Sequence, residues 1–345
     1  MTTLAIAGRR SAGEILAWSR ALIDADLRAA VDRLPDAMRR IAGYHFGFCD
    51  PDGMPAAGYA GKAVRPALVL LCARAVGGEP RDAVPAGVAV ELVHNFSLLH
   101  DDVMDEDRAR RNRLTAWAVF GAGPAVLAGD AVLAAASDVL ARSAPPWAAS
   151  AVRRLGEDVV ALCEGQFADL AFEQRAAVSV EECLAMAAGK TGALLGGSCA
   201  LGGLAGGADE GCVGLLAAFG RQLGLAFQLR DDLLGIWGDP ALTGKPVGSD
   251  VMRRKKSFPV IAALASGTAA GAELAELYQR HAPLRADEVA RATDLIEQAG
   301  GRDLARDEAA SQLAQALASL DAVGCASTAR DELITIAHLM VDRHR

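Results

Sequence analysis

Residues 91–111 read ELVHNFSLLHDDVMDEDRARR, and most of the prediction of fold starts from this stretch. Its first half repeats apolar side chains at three- and four-residue spacing, which predicts a helix with an apolar face. Asp101, Asp102 and Asp105 stand at the end of that helix. Asp101 and Asp105 are four residues apart, so they share one face of the helix. The stretch therefore predicts a core helix that ends in a cluster of carboxylates.

The same helical spacing continues on both sides of this stretch. Residues 15–34 and 64–76 are examples, and no run shows the alternation that is typical of a strand. Breaks rich in Gly and Pro, such as residues 49–60, separate the apolar runs, and none has the composition of an interdomain linker. We therefore predict one all-α domain over residues 1–345, with about ten or more helices and with residues 1–25 as a candidate N-terminal extension.

The composition favours helices and argues against nucleic-acid binding. Of the 345 residues, 52% are hydrophobic but only 5% are aromatic, and Ala, Leu and Val make up much of the apolar share. Ala and Leu are strong helix formers. The 35 basic and 43 acidic residues give a net charge of −8, whereas a nucleic-acid-binding protein usually carries a basic face. We expect no nucleic-acid partner.

The cysteines and the uncharged runs indicate a soluble, cytoplasmic protein. The seven cysteines include no Cys-x-x-Cys pair, so we expect free thiols in a reducing compartment and no structural zinc. Residues 191–208 form the longest uncharged run and are just long enough to span a membrane, but Gly and Ser crowd this run. That composition favours close packing inside a protein. We expect no membrane span, and the first residues lack the pattern of a signal peptide.

A second pair of aspartates repeats the first. Asp-Asp occurs only at 101–102 and at 231–232, and residues 224–239 around the second pair read GLAFQLRDDLLGIWGD. Two carboxylates about 4 Å apart in a partly dry cleft repel each other by about 4 kcal/mol at an effective dielectric constant of about 20. A divalent cation removes this penalty, and oxygen ligands without His or Cys favour Mg2+. The alternative for a single cluster is an acidic turn in water, since charge runs usually lie on exposed faces.

Cationic residues near both clusters favour a ligand site over a surface turn. Arg110 and Arg111 follow the first cluster, and Lys245, Lys255 and Lys256 follow the second. Paired carboxylates with Arg and Lys, and without a nucleophile, are typical of a diphosphate site. In such a site metal ions bridge the phosphate oxygens, and the cations neutralise the remaining charge.

Further motifs stand in order around these clusters across most of the chain. They are GKAVRP at 61–66, ELVHNFSLLHDDVMDEDRARR at 91–111, Gly129-Asp130, Lys190-Thr191, FQLRDD at 227–232, GKPVGSD at 244–250 and KKSFP at 255–259. On these motifs the sequence resembles the trans-polyprenyl diphosphate synthase family, which includes farnesyl and geranylgeranyl diphosphate synthases. Each motif alone is a weak signal, whereas their shared order and spacing are highly specific.

The resemblance implies a fold, an activity and partners. The fold would be an all-α, single-domain helical bundle of the isoprenoid synthase type around a deep central cavity, with the two acidic clusters facing each other across its mouth. The enzyme would condense isopentenyl diphosphate with an allylic diphosphate of C5–C15 to a linear polyprenyl diphosphate. The resemblance also implies a homodimer.

The resemblance further implies roles for individual residues. Asp101 and Asp105, helped by Asp102, would hold two Mg2+ ions on the allylic diphosphate. Asp231, with Asp232 in support, would hold a third, so that about three ions are expected. The residues implied as contacts of the allylic diphosphate are Arg110, Lys190, Thr191, Gln228, Lys245 and Lys255. Those implied as contacts of isopentenyl diphosphate are Lys62, Arg65, His94 and Arg111.

Taken singly, these residues have simpler interpretations. His94 on an apolar helix would more often be a core histidine, and Gln228 would be an amide that packs between helices. Lys62 and Arg65 would be solvated surface cations, and Lys190 a cation at a helix C-terminus. Only the shared register of the motifs favours the ligand-binding roles.

Product length would depend on the residues that close the cavity floor. Phe96 and Ser97 lie five and four residues before Asp101, which is about 7.5 and 6 Å along a helix. An aromatic residue next to a small one at these positions resembles geranylgeranyl diphosphate synthases. We therefore expect a C20 product, with a C15 farnesyl product as the alternative.

The sequence departs from the family pattern at three positions. Gly235 stands where many members have a third aspartate, and Asn112 and Leu114 replace a Gly and a Pro. The first departure affects the metal shell, and the other two affect the shape of a loop. The rival functions are a terpene cyclase and a non-catalytic synthase subunit. A cyclase would carry an Asn/Asp, Ser/Thr, Glu motif that is not found after Asp231, and such subunits typically lose the aspartates.

Overall fold

The chain folds into helices almost throughout, which confirms the predicted all-α class. The computed structural model describes residues 10–56, 61–143, 145–240, 246–280, 282–324 and 327–342. The helices are α1 (Ala12–Asp32), α2 (Asp36–Phe46), α3 (Val64–Ala75), α4 (Val84–Met104), α5 (Ala116–Phe120), α6 (Ala122–Ser143), α7 (Ala148–Gln174), α8 (Val180–Ala187), α9 (Ala193–Ala205), α10 (Glu210–Trp237), α11 (Ser249–Met252), α12 (Phe258–Leu264), α13 (Ala269–Gln279), α14 (Ala286–Gln298), α15 (Gly301–Ala322) and α16 (Ser327–Val341). A 3-10 turn (Pro80–Ala83) precedes α4, and a π-helical turn (Ala188–Gly192) joins α8 to α9.

Two compact units can be distinguished along the chain. The first unit comprises Met1–Glu157, Gly197–Ala217 and Val323–Ile336, and the second comprises Asp158–Gly196, Ala218–Ala322 and Ala337–Arg345. The first acidic cluster belongs to the first unit and the second acidic cluster to the second unit. Each cluster therefore has to be explained by the packing of its own unit.

In the first unit, α4 is the central helix. It packs against α1, α3 and, most extensively, α6. The segment from Val88 to Val93 is buried on every side of the helix, which is the pattern of a helix enclosed in a core. Each large apolar side chain that is fully buried there contributes about 1.5–3 kcal/mol. This packing holds the last turn of α4, where the aspartates lie.

In the second unit, the second aspartate pair lies between two core leucines. Leu229 and Leu233 of α10 pack in one apolar cluster with Phe172 of α7 and Phe258 of α12. Residues four apart share a helix face, so this packing orients the residues of α10 between them. Three helices therefore meet where the second aspartate pair is held.

A short hairpin follows α4, where no alternation in the sequence indicated strands. Strands β1 (Ala109–Arg110) and β2 (Arg113–Leu114) pair antiparallel. The two turn residues, Arg111 and Asn112, have φ of 52° and 60°. Two-residue hairpin turns favour positive φ at both positions, and Asn tolerates this conformation better than most residues. Strands of two residues are too short for alternation to be visible in the sequence.

Several helices within the described residues are long and apolar enough to cross a membrane. By length and composition they are Ala122–Arg142, Val180–Ala205 and Glu210–Trp237, and the bent pair Phe258–Leu264 with Ala269–Gln279 would make a fourth span. In the most apolar window of the first three, 39%, 72% and 50% of the residues are buried inside the protein. The second stretch holds most of the uncharged run noted above. Its burial supports the prediction that this run packs inside the protein.

Candidate functional site

The last turn of α4 carries the first acidic cluster. Asp105 caps the helix, and its backbone N–H donates to the carbonyl oxygen of Asp101 at 2.8 Å. Asp101 is half-buried and Asp105 is exposed, whereas Asp102 is only 1% exposed. The two carboxylates predicted to share a helix face are thus the accessible ones, and the protein encloses the third.

Asp102 links α4 to the hairpin. Arg110 Nε donates to Asp102 Oδ1 at 2.7 Å, while Asp102 Oδ2 is buried without a hydrogen-bond partner. Burial raises the pKa of Asp102 above its ordinary value, and the positive charge of Arg110 opposes this shift. The ion pair therefore positions β1 against the end of α4, and it engages both residues before any ligand is considered.

Cations from two elements gather next to this ion pair. Burial and the charge of Arg111 lower the pKa of Arg65, at the start of α3, to about 10. Burial, with the charges of Arg65, Arg111 and Arg110, lowers the pKa of His94 in α4 well below its ordinary value. Lys62 is exposed three residues before Arg65. Like charges held together in a partly dry place are typical of a site that receives an anion.

The loop before α3 has a strained backbone. Ala63 adopts left-handed dihedrals (φ 51°, ψ 42°), a conformation that costs a residue with a Cβ atom about 1–2 kcal/mol. Arg20 of α1 donates to the carbonyl oxygen of Gly61 and so holds the same loop. Strain of this kind concentrates at binding sites. Here it lies directly between Lys62 and Arg65.

His45 of α2 is a residue of this region that sequence reasoning missed. Burial, with the charges of Arg110 and Arg111, lowers the pKa of His45 to about 3, and its Nε2 is buried without a hydrogen-bond partner. No motif contains His45, so no sequence signal pointed to it. It lines a small cavity beside the hairpin. The other lining residues are Tyr44, Asp102, Arg110, Arg111, Arg113, Leu114, Thr115 and Ala116.

In the second unit, the second acidic pair divides in the same way. Asp231 is exposed and Asp232 is 4% exposed. Asp232 Oδ1 accepts from Gln228 Nε2 at 2.9 Å, and Oδ2 accepts from the backbone N–H of Phe258 at 3.0 Å. Burial raises the pKa of Asp232 to about 6 against the opposing charge of Lys255. Asp232 therefore ties α10 to α12 and leaves Asp231 on the accessible side.

The π-helical turn brings Thr191 to this pair. Thr191 Oγ1 donates to Gln228 Oε1 at 2.7 Å, so that Thr191, Gln228 and Asp232 form one hydrogen-bonded chain. Turns of this type inside helices are frequent at functional sites. The predicted diphosphate contact Gln228 thus uses both ends of its amide within the protein.

Asp169 of α7 organises two predicted lysines, and sequence reasoning missed it. Its Oδ2 accepts from Lys190 Nζ at 2.5 Å. Burial opposes the charge of Lys255, but the neighbouring Asp169 and Asp232 raise the pKa of Lys255 above its ordinary value. Asp169 therefore forms an ion pair with Lys190 and favours the charged form of Lys255. Asp169 lies in none of the motifs, and Glu164 and Glu173 lie near it in α7, so no sequence signal singled it out.

The space beside Gly235 is filled by Asp250. A Cβ atom on Gly235 would lie 2.2 Å from Asp250 Oδ2, which is closer than any real contact. Ser249 Oγ also donates to the carbonyl oxygen of Gly235 at 3.3 Å. Where many family members carry a third aspartate on the helix, a carboxylate from the next helix, α11, lies in this chain.

Phe96 and Ser97 are both buried in α4. The ring of Phe96 contacts that of His100 edge-to-face, with the centroids 4.7 Å apart, and Ser97 Oγ donates to the carbonyl oxygen of His94 at 2.9 Å. His100 lies against Gly129 of α6, where a Cβ atom would come within 2.4 Å of the ring. Phe96 is therefore supported from behind by closely packed groups.

The structure thus groups the predicted residues within each unit. The first unit contains Lys62, Arg65, His94, Phe96, Ser97, Asp101, Asp102, Asp105, Arg110 and Arg111. The second contains Lys190, Thr191, Gln228, Asp231, Asp232 and Lys255. Lys245 lies outside the described residues.

The donor set of the aspartate clusters suits Mg2+. Within the described ranges, no three His, Cys, Asp or Glu side chains form a preformed metal cluster. The accessible donors are three carboxylate groups, those of Asp101, Asp105 and Asp231. Mg2+ is usually bound in this way, by one or two carboxylates completed with waters and substrate phosphates.

Comparisons with known sequences match the chain to one family profile and to named relatives. The Polyprenyl synthetase family profile matches residues 56–296. The chain is 46% identical over 332 residues to a (2E,6E)-farnesyl diphosphate synthase of Mycobacterium tuberculosis, which covers 95% of this chain and 92% of the relative. It is 49% identical over 299 residues to a geranylgeranyl diphosphate synthase of the same organism, covering 86% of this chain and 85% of the relative.

Solved structures show the same similarity. A polyprenyl synthetase from Streptomyces coelicolor superposes with a TM-score of 0.90 at 48% identity, covering 95% of this chain and 99% of the other. A geranylgeranyl pyrophosphate synthetase from Pyrococcus horikoshii does so with a TM-score of 0.85 at 33% identity, covering 95% and 98%.

Proposed function

The chain belongs to the polyprenyl synthetase family, and on that premise we propose that it is a geranylgeranyl diphosphate synthase. As a trans-prenyltransferase it joins isopentenyl diphosphate to an allylic diphosphate and releases a linear prenyl diphosphate. The C20 length is the specific part of the proposal. A C15 product is the alternative, because a relative at 46% identity is a farnesyl diphosphate synthase.

The allylic diphosphate is assigned to the carboxylates of Asp101, Asp105 and Asp231. About three Mg2+ ions, when bound there, would supply the electrostatic stabilisation of the departing diphosphate. Lys190 and Lys255 add fixed positive charge on the same leaving group. The chain of hydrogen bonds that starts at Thr191 keeps the buried neighbour of Asp231 in place.

Isopentenyl diphosphate is assigned to the cations of the first unit. Arg65 and Arg111 already repel each other in the structure, so a diphosphate between them relieves this repulsion. His94 is neutral there and can donate one hydrogen bond to a phosphate oxygen. Cleavage of the allylic C–O bond releases diphosphate and leaves an allylic cation. The double bond of isopentenyl diphosphate then forms the new C–C bond with this cation, and a proton passes from the resulting cation to the departed diphosphate. Exclusion of water protects the cation.

The remaining assignments rest on the family resemblance. We propose that both units act together as one catalytic domain, because each carries only part of the motifs. We also propose a cytoplasmic homodimer without a membrane span. The burial of the second apolar stretch supports the last point.

The observation that carries the C20 assignment is the pair Phe96 and Ser97. Phe96 is a large ring, 6% exposed and supported by His100, whereas its neighbour Ser97 is small. A single ring about 7.5 Å below Asp101 limits the depth of a cavity less than two bulky residues would. The proposal is therefore a floor that stops growth after C20.

Product analysis tests the proposal. The protein is incubated with Mg2+, labelled isopentenyl diphosphate and each of the C5, C10 and C15 allylic partners. Linear C20 diphosphate is expected from all three, and Phe96→Ala should give longer products while the control Phe120→Ala does not. A C15 end product from the unmodified protein, or an unchanged length in Phe96→Ala, contradicts the C20 assignment. A cyclised hydrocarbon or no product would favour the rival functions.

A further inference from the structure

Two glutamates are buried in the first unit, and their surroundings differ. Glu332 is 1% exposed and accepts from Arg10 at 2.7 Å and from Arg74 at 2.8 Å. Glu91 of α4 is 2% exposed, and Asn95 Nδ2 donates to its Oε1 at 3.2 Å. The second oxygen of Glu91, Oε2, is buried with no hydrogen-bond partner. Glu332 is held as a carboxylate by its ion pairs, whereas the side chain of Glu91 accepts from a neutral amide at Oε1 and has no hydrogen-bond partner at Oε2.

Two charged groups and one neutral group act on Glu91, each from a different element. They are Arg111 in the turn of the hairpin and Arg20 in α1, with the polar Asn95 from α4 itself. Burial raises the pKa of Glu91 to about 7 against the effects of these three groups. In the opposite case, the arginines around Glu332 outweigh its burial and hold the pKa of that carboxyl below its ordinary value.

Further titratable groups of the region interact with these neighbours of Glu91. Burial, with the charge of Arg111 among others, lowers the pKa of His45 in α2 and of Arg65 in α3, and it lowers the pKa of His94 in α4 in the same way. Arg20 also holds the loop that carries Lys62, through the carbonyl oxygen of Gly61. Glu91 is therefore a buried acid whose charge interacts with Arg111, one of the cations assigned to isopentenyl diphosphate.

We infer that Glu91 is a positioning residue that adjusts the charge of the isopentenyl diphosphate pocket, because it takes up a proton from solvent when a diphosphate binds at Arg111. The inference rests on the assignment of Arg111 under the proposed function. A carboxylate stabilises the crowded arginines while the pocket is empty. Once the diphosphate neutralises the arginines, their positive charge no longer stabilises the buried carboxylate. The neutral form of Glu91 is then preferred.

Calorimetric binding of isopentenyl diphosphate, with inorganic pyrophosphate as a second probe, tests the inference on the full chain. For the unmodified protein, affinity should fall about tenfold between about pH 6 and about pH 9, as expected for a change of about one unit in the pKa of Glu91 on binding. Glu91→Gln should lose most of this dependence and take up fewer protons, measured in buffers of different ionisation enthalpy. The ligand titrates equally in both proteins, so the difference isolates Glu91.

Glu332→Gln is the matched control. It removes an equally buried carboxylate of the same unit, so it should melt at a lower temperature and keep the pH dependence of binding. For Glu91 the dependence of protein stability on pH has the opposite sign. A pKa raised by folding stabilises the protein below the unfolded value and ceases to do so as pH rises through about 7. The melting temperature of the unmodified protein should thus fall between about pH 5 and about pH 8 more than that of Glu91→Gln.

An infrared difference spectrum of the unmodified protein provides a test that needs no variant. Binding of isopentenyl diphosphate above neutral pH should produce the carbonyl band of a protonated carboxylic acid. No such band, or the same pH dependence and proton uptake in Glu91→Gln as in the unmodified protein, would overturn the inference. Since binding requires no turnover, a wrong product length leaves this test unaffected. Failure to bind isopentenyl diphosphate at all would instead contradict the proposed function.

Discussion

The two aspartate pairs show the same pattern of burial but have different hydrogen-bond partners. In each pair the second aspartate is buried and the first is accessible. Asp102 is neutralised by a cation, Arg110, on a hairpin that follows in sequence. Asp232 is held by two neutral donors on helices, the amide of Gln228 and the backbone N–H of Phe258. The same sequence motif is thus held by an ion pair in the first unit and by neutral hydrogen bonds in the second.

The cations around the two pairs differ as well. The first unit offers arginines that repel one another, and the second offers lysines whose charges are compensated by buried aspartates. Arginine presents a fixed fork and stays charged, whereas a lysine in a buried site keeps its charge only with such help. The crowded arginines of the first unit therefore favour binding of an anion. The aspartates of the second unit instead fix the positions of its lysines, which can then stabilise negative charge on a leaving diphosphate.

The largest effect is expected at the accessible aspartates, Asp101 and Asp231, and it should be about equal for the two. Asp101→Asn and Asp231→Asn should each lower kcat by about 10²–10³-fold, as expected when a positioned electrostatic contact is removed. Steady-state kinetics at saturating Mg2+ measure this. A loss confined to one of the two variants would break the symmetry between the pairs.

The second prediction concerns Asp169, which interacts with two lysines of the second unit. Asp169→Asn removes the partner of Lys190 and one of the charges acting on Lys255. We expect kcat to fall about tenfold to about a hundredfold, because two cations near the leaving group lose their position. Asp303→Asn, at an aspartate with an 81% exposed side chain, is the control and should have no effect. Equal kinetics for the two variants would show that Asp169 is dispensable.

The third prediction concerns the buried aspartates and their different partners. Asp102→Asn should destabilise the protein by about 2 kcal/mol, since Arg110 then loses its counter-ion in a partly buried place. Asp232→Asn should cost about 1 kcal/mol, because an amide can still accept from one of the neutral donors. Urea unfolding measures both values. The account fails here if Asp232→Asn proves the more damaging change.

The smallest effect is expected at Gly235. A methyl group there displaces the Asp250 carboxylate, and the strain of about 1–3 kcal/mol is offset by the helix propensity of Ala, about 1 kcal/mol. Stability should therefore fall by only about 1 kcal/mol, while the Mg2+ concentration for half-maximal activity rises a few-fold. Gly214→Ala, in the same helix with no atom near its added methyl, should stabilise the protein slightly. An unchanged Mg2+ requirement in Gly235→Ala would show that the position of the Asp250 carboxylate does not affect metal binding.

Sequence reasoning located the helices and the aspartate pairs because both are local patterns. Apolar spacing in α4 and α10 and the adjacent carboxylates are visible in a window of one or two turns. Asp169 and Lys190 are 21 residues apart, and Asp250 reaches Gly235 from another helix. Such pairings depend on how helices pack. The hairpin was missed for a different reason, since its strands are shorter than any detectable alternation.

The central claim is that the carboxylates of both clusters act on one allylic diphosphate through Mg2+. It is tested most directly by a double-mutant cycle on the binding of an unreactive allylic thiolodiphosphate in the presence of Mg2+. If Asp101 and Asp231 serve the same ligand, either asparagine variant alone should abolish most of the binding, and the double variant should be little worse than either. Fully additive losses, or tight Mg2+-dependent binding that survives Asp231→Asn, would contradict the claim.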